Sequence, residues 1–241
     1  MVSVYGESAN SGMRLTVATY NIHAGVGVDG QFQPGRIVQV LQELKANIIA
    51  LQEVEHHAVG DHDLLDYLAI ETKSTAIAGP LLLRGTRDYG NALLTTLPVL
   101  SINRVDLSLP KCEPRGALDV VLNWNGLRVQ VVATHLGLRC WERRSQVRRL
   151  LSLFDSSAAD ITIFMGDINE WFFAAPTLRW LHGYFQQRPA TYATYPARLP
   201  VVALDRIWLR PKSFLADMAV HGSSTARAAS DHLPLKAIIE R

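Results

Sequence analysis

Short apolar runs that end in polar residues, glycine or asparagine recur along this chain, and helical spacing is less common. Leu15–Tyr20 alternates along its length as a strand does, and 161–165 is a continuous apolar or β-branched run of the kind found in strands buried on both faces. Pro34 opens a segment with apolar residues at i, i+3, i+4 and i+7, which predicts an amphipathic helix. These residues are Ile37, Val40, Leu41 and Leu44.

The remaining pattern predicts many strands and few helices. Asp61 is the predicted cap of a helix carrying Leu64, Leu65 and Leu68. Asn123-Trp124-Asn125-Gly126 predicts a tight hairpin. Further strands are predicted at 47–51, 90–95, 99–107, 115–122, 127–134, 201–209 and 236–239, and further helical segments at 138–154 and, as a helix or irregular cap, at 176–185. Because the elements follow no strict βαβ order, we expect an α+β fold with two packed sheets and helices outside.

Composition narrows the class of protein only slightly. The chain has 241 residues, 48% hydrophobic and 19% charged, with a formal net charge of +2. We expect residues 1–13 to form a flexible N-terminal arm and residues 14–241 a single domain. Cys112 and Cys140 form no zinc-binding spacing, and the sequence shows neither a signal peptide nor a transmembrane segment, so a cytoplasmic location is expected. The net charge is too small to imply a polyanionic partner, although a balanced total is compatible with a local basic groove. The oligomeric state is left open.

Polar side chains stand at the ends of several predicted strands. Asp167 and Asn169 follow the run at 161–165 with one residue between them, and in an extended segment they would point the same way. Such a pair suits binding a metal ion or a phosphate oxygen, although an Asx turn closing the strand explains it equally well. Asp205 lies within an apolar run and needs a partner if it is buried. The strand-end residues are Asn21, Glu53, His135, Asp167, Asn169, Asp205, Asp231 and His232.

Six short motifs containing these residues give the chain a recognisable resemblance. They are Thr19-Tyr20-Asn21-Ile22-His23, Leu51-Gln52-Glu53-Val54, Thr134-His135-Leu136, Gly166-Asp167-Ile168-Asn169, Leu204-Asp205-Arg206-Ile207 and Ser230-Asp231-His232-Leu233-Pro234. In this order, across residues 15–240, they resemble the endonuclease/exonuclease/phosphatase superfamily of metal-dependent phosphoesterases. The resemblance implies the deoxyribonuclease-I-like four-layer α/β/β/α sandwich of two mainly antiparallel sheets, with the site where loops of both sheets meet.

The resemblance also implies a role for each residue. It makes Glu53 the main ligand of Mg²⁺ or Mn²⁺, with Asn21 and Asp231 supporting it. It makes His232 the general base, although Asp167 is an alternative, and Asp205 the carboxylate that orients His232. The other implied catalytic residues are Asp167 and Asn169, which hold the nucleophile and a phosphate oxygen, and His135, which donates to a phosphate oxygen or the leaving group. Asn91 and Arg115 match less sharply as contacts to the substrate phosphate.

The implied reaction is metal-dependent hydrolysis of a phosphodiester in a nucleic acid or a phospholipid or sphingolipid head group. The resemblance also argues against abasic-site repair, because the repair nucleases of this superfamily do not usually have a histidine at the position of His135. A phosphomonoesterase acting on inositol-phosphate-like substrates and a catalytically inactive binding scaffold are the alternatives. Trp171, Phe172 and Phe173 would suit base stacking or peripheral membrane contact, but core packing is expected for at least two of them. The arginines of the helix at 138–154, which are Arg139, Arg143, Arg148 and Arg149, are expected to form a solvated face.

Overall fold

The structure is a computed structural model that describes residues 12–79, 82–84, 87–155 and 158–241. The expected N-terminal arm lies almost entirely outside these residues. The described helices are α1 (Pro34–Leu44), α2 (Leu64–Thr72), α3 (Cys140–Asp155), α4 (Pro176–Phe185) and α5 (Ser224–Ala229). The described strands are β1 (Arg14–Asn21), β2 (Ile48–Glu55), β3 (Ala58–Val59), β4 (His62–Asp63), β5 (Thr75–Ala78), β6 (Leu82–Arg84), β7 (Arg87–Thr95), β8 (Val99–Asp106), β9 (Gly116–Trp124), β10 (Leu127–His135), β11 (Ile161–Asp167), β12 (Asp205–Arg210), β13 (Leu215–Val220) and β14 (Leu235–Glu240).

Two large sheets contain most of the strands. One has the order β13-β14-β1-β2-β7-β5, with β6 also paired to β7, and the other has the order β12-β11-β10-β9-β8. Pairing is antiparallel except between β1 and β2 and between β10 and β11. Each parallel pair brings the carboxyl ends of two strands to one edge of its sheet. Four predicted site residues lie at these ends: Asn21, Glu53, His135 and Asp167.

The core lies in three layers. Between the sheets, side chains such as Val17, Val131 and Ile163 form one buried cluster. Helices α1, α2 and α5 cover the outer face of the first sheet, and α3 and α4 cover the outer face of the second. In β11, Ile163 packs in the inner cluster while Phe164 packs under the helices, so this strand is buried on both faces. The α/β/β/α sandwich expected from the sequence is therefore confirmed.

Local signals explain several elements. Ile37, Val40, Leu41 and Leu44 are all buried on α1, as their spacing predicts. The β9–β10 hairpin turns at Asn125 and Gly126, which have φ angles of 51° and 90°, the left-handed pair that an Asn-Gly turn needs. The two cysteines are free.

Some local predictions were wrong. The cap of α2 is Asp63, which accepts a hydrogen bond from Leu65 N, rather than Asp61. The strand predicted at 201–209 begins only at Asp205, and β13 and α5 were not predicted. Arg143 is 5% exposed and is not part of a solvated face. No helix of the described chain combines the length and hydropathy needed to cross a membrane.

Candidate active site

Loops from the two sheets enclose a cleft of about 520 Å³ at one end of the sandwich. Six of the eight predicted strand-end residues line it: Glu53, His135, Asp167, Asn169, Asp231 and His232. The other two, Asn21 and Asp205, are each 1% exposed and lie directly behind the lining residues. The fold thus gathers side chains separated by up to 211 residues of sequence into one site.

Glu53 enters the cleft because its strand is irregular. The sequence suggested that this strand ends near Gln52, but β2 continues to Glu55 through a break in register with β7 between Leu51 and Val54. Glu53 has a φ of 56° within this bulge. A bulge redirects one side chain away from the regular alternation of a strand, which here turns a carboxylate toward the cleft.

Asn21 holds two carboxylates in place. Its Nδ2 donates to Glu53 Oε1 at 3.1 Å and to Asp167 Oδ2 at 3.2 Å, and its Oδ1 accepts from His23 N at 3.0 Å. The amide therefore bridges the two sheets. Asn21 therefore positions both acidic residues, and its Oδ1, which accepts one hydrogen bond, keeps a second lone pair.

Asp167 and Asn169 form an Asx turn and still reach the cleft. Asn169 N donates to Asp167 Oδ1 at 3.0 Å, and Asn169 Nδ2 donates to the Leu136 carbonyl at 2.9 Å. Asn169 has a φ of 52°, so the segment is not extended and the argument from strand alternation was wrong for this residue. Asp167 and Asn169 therefore form the Asx turn and also line the cleft.

His232 and Asp205 form a buried pair. His232 Nδ1 lies 2.8 Å from Asp205 Oδ2, which also accepts a 2.6 Å hydrogen bond from Thr194 Oγ1. This supplies the partner that a buried carboxylate in an apolar run requires. Burial alone would lower the pKa of His232, but the charge and hydrogen bond of Asp205, with the charges of Asp167 and Asp231, raise that pKa to about 10. His232 Nε2 points back toward Asp167 Oδ2, 3.7 Å away.

His135 is linked to Arg115. Arg115 Nη1 lies 3.2 Å from His135 Nδ1, and Arg115 Nη2 donates to Glu113 at 2.9 Å. A guanidinium can only donate, so His135 Nδ1 acts as the acceptor and the ring proton lies on Nε2. His135 Nε2 lies 3.5 Å from Asp167 Oδ2. His135 therefore stands beside an arginine in the cleft wall, with its Nε2 facing Asp167.

Asn91 is not brought into the cleft. Its amide is buried and donates to the Gly116 carbonyl at 2.8 Å, which ties β7 to β9 across the two sheets. Its neighbour Tyr89 lines the cleft instead, and burial, with the charge of Glu53, raises the pKa of its phenol. His23 and Tyr195 also line the cleft. His23 ends the first of the six motifs and Tyr89 lies two residues before Asn91, but no pattern in the sequence marked Tyr195.

Two groups of donors fit a divalent cation. Asp167, Asp205 and His232 offer ligand atoms that lie within 4.8 Å of one another, but Asp205 and His232 are already hydrogen-bonded to each other. Glu53 Oε2 takes no hydrogen bond from any described residue, and Asp231 is only half buried at the same cleft. Carboxylate oxygens open to a cleft are ligands that hard cations prefer, so these residues could hold a divalent cation.

Comparison with known proteins agrees with this fold. The sequence model of the endonuclease/exonuclease/phosphatase family matches residues 18–232. The chain is 29% identical over 247 residues to "Uncharacterized protein YbhP" of Escherichia coli K12, covering 92% of this chain and 95% of that protein, and matches the protein of the same name in Shigella flexneri equally well.

Two solved structures share the fold. One is an endonuclease/exonuclease/phosphatase from Beutenbergia cavernae, with a TM-score of 0.75, 21% identity and coverage of 95% of this chain and 72% of that chain. The other is a humanized TDP2 of D. rerio, with a TM-score of 0.71, 17% identity and coverage of 95% and 100%. Since the family match spans most of its length, the chain belongs to the endonuclease/exonuclease/phosphatase family.

Proposed function

We propose that this protein is a divalent-metal-dependent phosphodiesterase that hydrolyses its substrate by in-line attack of water on phosphorus. The observation that carries the proposal is the buried pair of His232 and Asp205, joined at 2.8 Å, which opens on the same cleft as the carboxylates of Glu53 and Asp231. A proton acceptor and a set of oxygen ligands for a cation thus converge on one space. Membership of the family supports phosphoesterase activity, and we propose the roles of the individual residues.

Glu53 and Asp231 would hold Mg²⁺ or Mn²⁺, and Asn21 would fix the direction of Glu53. When bound, the cation would stabilise the charge that builds on the phosphate oxygens, and it would offset the carboxylates that raise the pKa of His232. The carboxylates around the cleft would otherwise repel a phosphate. Arg115, which is 4% exposed and lines the cleft, would bind a phosphate oxygen.

The proton transfers are assigned to the histidines. His232 Nε2 takes the proton of the attacking water, while Asp205 holds Nδ1–H and so fixes the tautomer and the ring. The water oxygen bonds to phosphorus, and the bond from phosphorus to the leaving oxygen breaks. His135, with its proton on Nε2, would hydrogen-bond to that leaving oxygen as negative charge builds on it, and the released alkoxide takes its proton from solvent. Asp167, 3.7 Å from His232 Nε2, is the alternative acceptor.

The substrate is proposed to be a phosphodiester. The position of His135 resembles that in the deoxyribonuclease and sphingomyelinase branches of the family. Among the described residues that line the cleft, Arg115 is the one arginine, which is less than the cluster of cations that a polyphosphorylated ring would require. A nucleic acid and a phospholipid or sphingolipid head group both present such a diester. Parallel assays with plasmid DNA, RNA, phosphatidylglycerol or sphingomyelin vesicles and p-nitrophenyl phosphate would separate these classes. Turnover of the monoester alone would contradict the assignment.

Metal dependence is tested with bis-p-nitrophenyl phosphate in magnesium, in manganese and after chelation. We expect chelation to abolish turnover and either metal to restore it. Glu53→Gln should lose at least about 100-fold in kcat/KM, because it removes a carboxylate from the set of oxygen ligands, while leaving thermal unfolding close to that of the wild type. Turnover that persists in excess chelator would exclude the metal role.

The His232–Asp205 pair is tested by a double-mutant cycle. If the two act as a unit, His232→Ala and the double variant His232→Ala/Asp205→Ala should have nearly equal kcat. Thr194→Val, which removes the other hydrogen bond to Asp205, serves as the control and should cost much less. Losses that multiply in the double variant would show that Asp205 acts separately from His232.

A further inference from the structure

Five large apolar side chains are exposed next to the cleft. Their exposed fractions are 70% for Leu138, 51% for Trp141, 68% for Trp171, 52% for Phe172 and 82% for Phe173. Core packing was expected for two or more of the last three, and that expectation was wrong. We call these five residues the apolar rim. The rings of Trp171, Phe172 and Phe173 contact one another in sequence. Clustered large apolar side chains that are exposed mark a surface that binds a partner or a membrane.

The apolar rim lies on two segments that are fixed to each other. They follow β10 and β11, which are parallel neighbours, so both segments start at the same edge of the sheet. The buried Arg143 donates from Nη1 to the Leu138 carbonyl at 2.6 Å and from Nε to Glu170 Oε2 at 3.0 Å. Glu170 immediately precedes Trp171. Leu138 also lines the cleft, so the apolar rim continues into the wall of the candidate active site.

The exposed charge on the two segments is positive. Their acids, Glu142 and Glu170, are each 3% exposed and hydrogen-bonded internally. Arg139 and Arg144 are exposed on either side of Trp141. A surface that combines exposed aromatic and aliphatic side chains with outward-facing arginines is complementary to a bilayer whose lipids carry negative head groups.

We propose that the apolar rim docks this protein on the surface of an anionic phospholipid bilayer. The rings favour a lipid over a single-stranded nucleic acid. Trp171 and Phe172 meet at 72°, and Phe172 and Phe173 at 49°, so the rings present edges to one another rather than parallel faces on which successive bases stack. Leu138 adds an aliphatic side chain, which enters acyl chains but offers no face for stacking. Docked in this way, the cleft opens beside the head groups.

The test is binding of the full-length chain to vesicles, measured by flotation with a chelator present so that no lipid is hydrolysed. We expect binding to equimolar phosphatidylcholine and phosphatidylglycerol that weakens with salt, and much weaker binding to phosphatidylcholine alone. The triple variant Trp171→Ser/Phe172→Ser/Phe173→Ser should need at least about tenfold more lipid for half-binding. Arg139→Glu/Arg144→Glu should reduce binding by roughly tenfold or more.

Two controls match these changes elsewhere on the surface. Ile70→Ser removes an apolar side chain that is 54% exposed on α2, on the opposite outer face, and Lys212→Glu reverses an exposed charge beyond the far end of β12. Both should bind vesicles like the wild type. The triple variant should hydrolyse bis-p-nitrophenyl phosphate normally, so docking and the proposed chemistry can fail separately. The proposal would be overturned if the wild type did not bind vesicles, or if the controls lost as much vesicle binding as the rim variants. If the triple variant lost only its binding to single-stranded DNA, the apolar rim would be a nucleic-acid surface instead.

Discussion

The buried ion pair between Arg143 and Glu170 allows a prediction with a defined magnitude. Arg143 is 5% exposed and Glu170 is 3% exposed. Arg143 Nε donates to Glu170 Oε2 at 3.0 Å, while its Nη1 donates to the carbonyls of Gly137 and Leu138 at 3.3 and 2.6 Å. Glu170 Oε2 also accepts from Thr177 Oγ1 at 2.9 Å. The pair therefore connects the segment after His135 to the segment after Asn169.

Glu170→Gln keeps the shape of the side chain but removes its charge, which leaves the guanidinium of Arg143 buried without a counter-charge. Breaking one side of a buried pair costs about 3–5 kcal/mol, and we expect about 3 kcal/mol here because the amide oxygen still accepts a hydrogen bond. For a chain of this length, that corresponds to a fall of about 6–12 °C in the unfolding midpoint. Removing both charges in Arg143→Met/Glu170→Leu should recover part of the loss.

The measurement is urea and thermal unfolding of both variants beside a surface control. Arg36 and Asp29 form an ion pair of similar length, 2.8 Å, but both side chains are partly exposed. Asp29→Asn should therefore leave the unfolding midpoint nearly unchanged, because solvent screens the pair. A loss of less than about 1 kcal/mol of unfolding free energy in Glu170→Gln, the usual limit for exposed pairs, would contradict this prediction. The prediction also fails if the two substitutions cost the same.

Two further predictions concern backbone geometry and pH. A Cβ at Gly166, where φ is 152°, would lie 1.9 Å from the Thr134 carbonyl oxygen. Gly166→Ala should therefore force β10 and β11 apart, lower the unfolding free energy by about 3 kcal/mol or more and remove most of the hydrolytic activity. The control is Gly183→Ala on α4, where a Cβ meets open space, and it should be neutral or stabilising by up to about 1 kcal/mol. Hydrogen bonds from Ser223 and then His221 lower the pKa of Glu43 below its ordinary 4.5, so its stabilisation is present above that pH and lost as pH falls through the lowered pKa. Urea unfolding of wild type and Glu43→Gln from pH 7 to pH 3 should therefore converge at the acidic end, and a gap that stays constant with pH would contradict the assignment.

Residues of the candidate site could be named from the sequence because each stands beside a strong local pattern. Asp167 follows an apolar run that is typical of a buried strand, and the carboxylate of Asp205, inside another apolar run, required a partner if buried. That partner, His232, is 27 residues away and could be paired with Asp205 only through family resemblance. Arg115 matched the family pattern less sharply. Its contact with His135 depends on the register in which β9 pairs with β10, which the sequence did not show.

The sequence by itself determined the elements whose signals are local: the buried face of α1, the Asn125-Gly126 hairpin and the apolar strands. Tertiary structure decided what depends on distant partners. Arg143 lies on the same face of α3 as the buried Val147 and Leu150, roughly 140° around the helix from the exposed Arg148. Glu170, which follows β11, supplies the counter-charge that allows this arginine to stay buried. Trp171, Phe172 and Phe173 remain exposed on a loop beside the cleft, while Phe154, Phe164, Phe185 and Trp208 fill the core under α3 and α4. Hydrophobicity determines which side chains are stabilised by burial, but the packing of the folded chain determines which of them the limited volume of the core can hold.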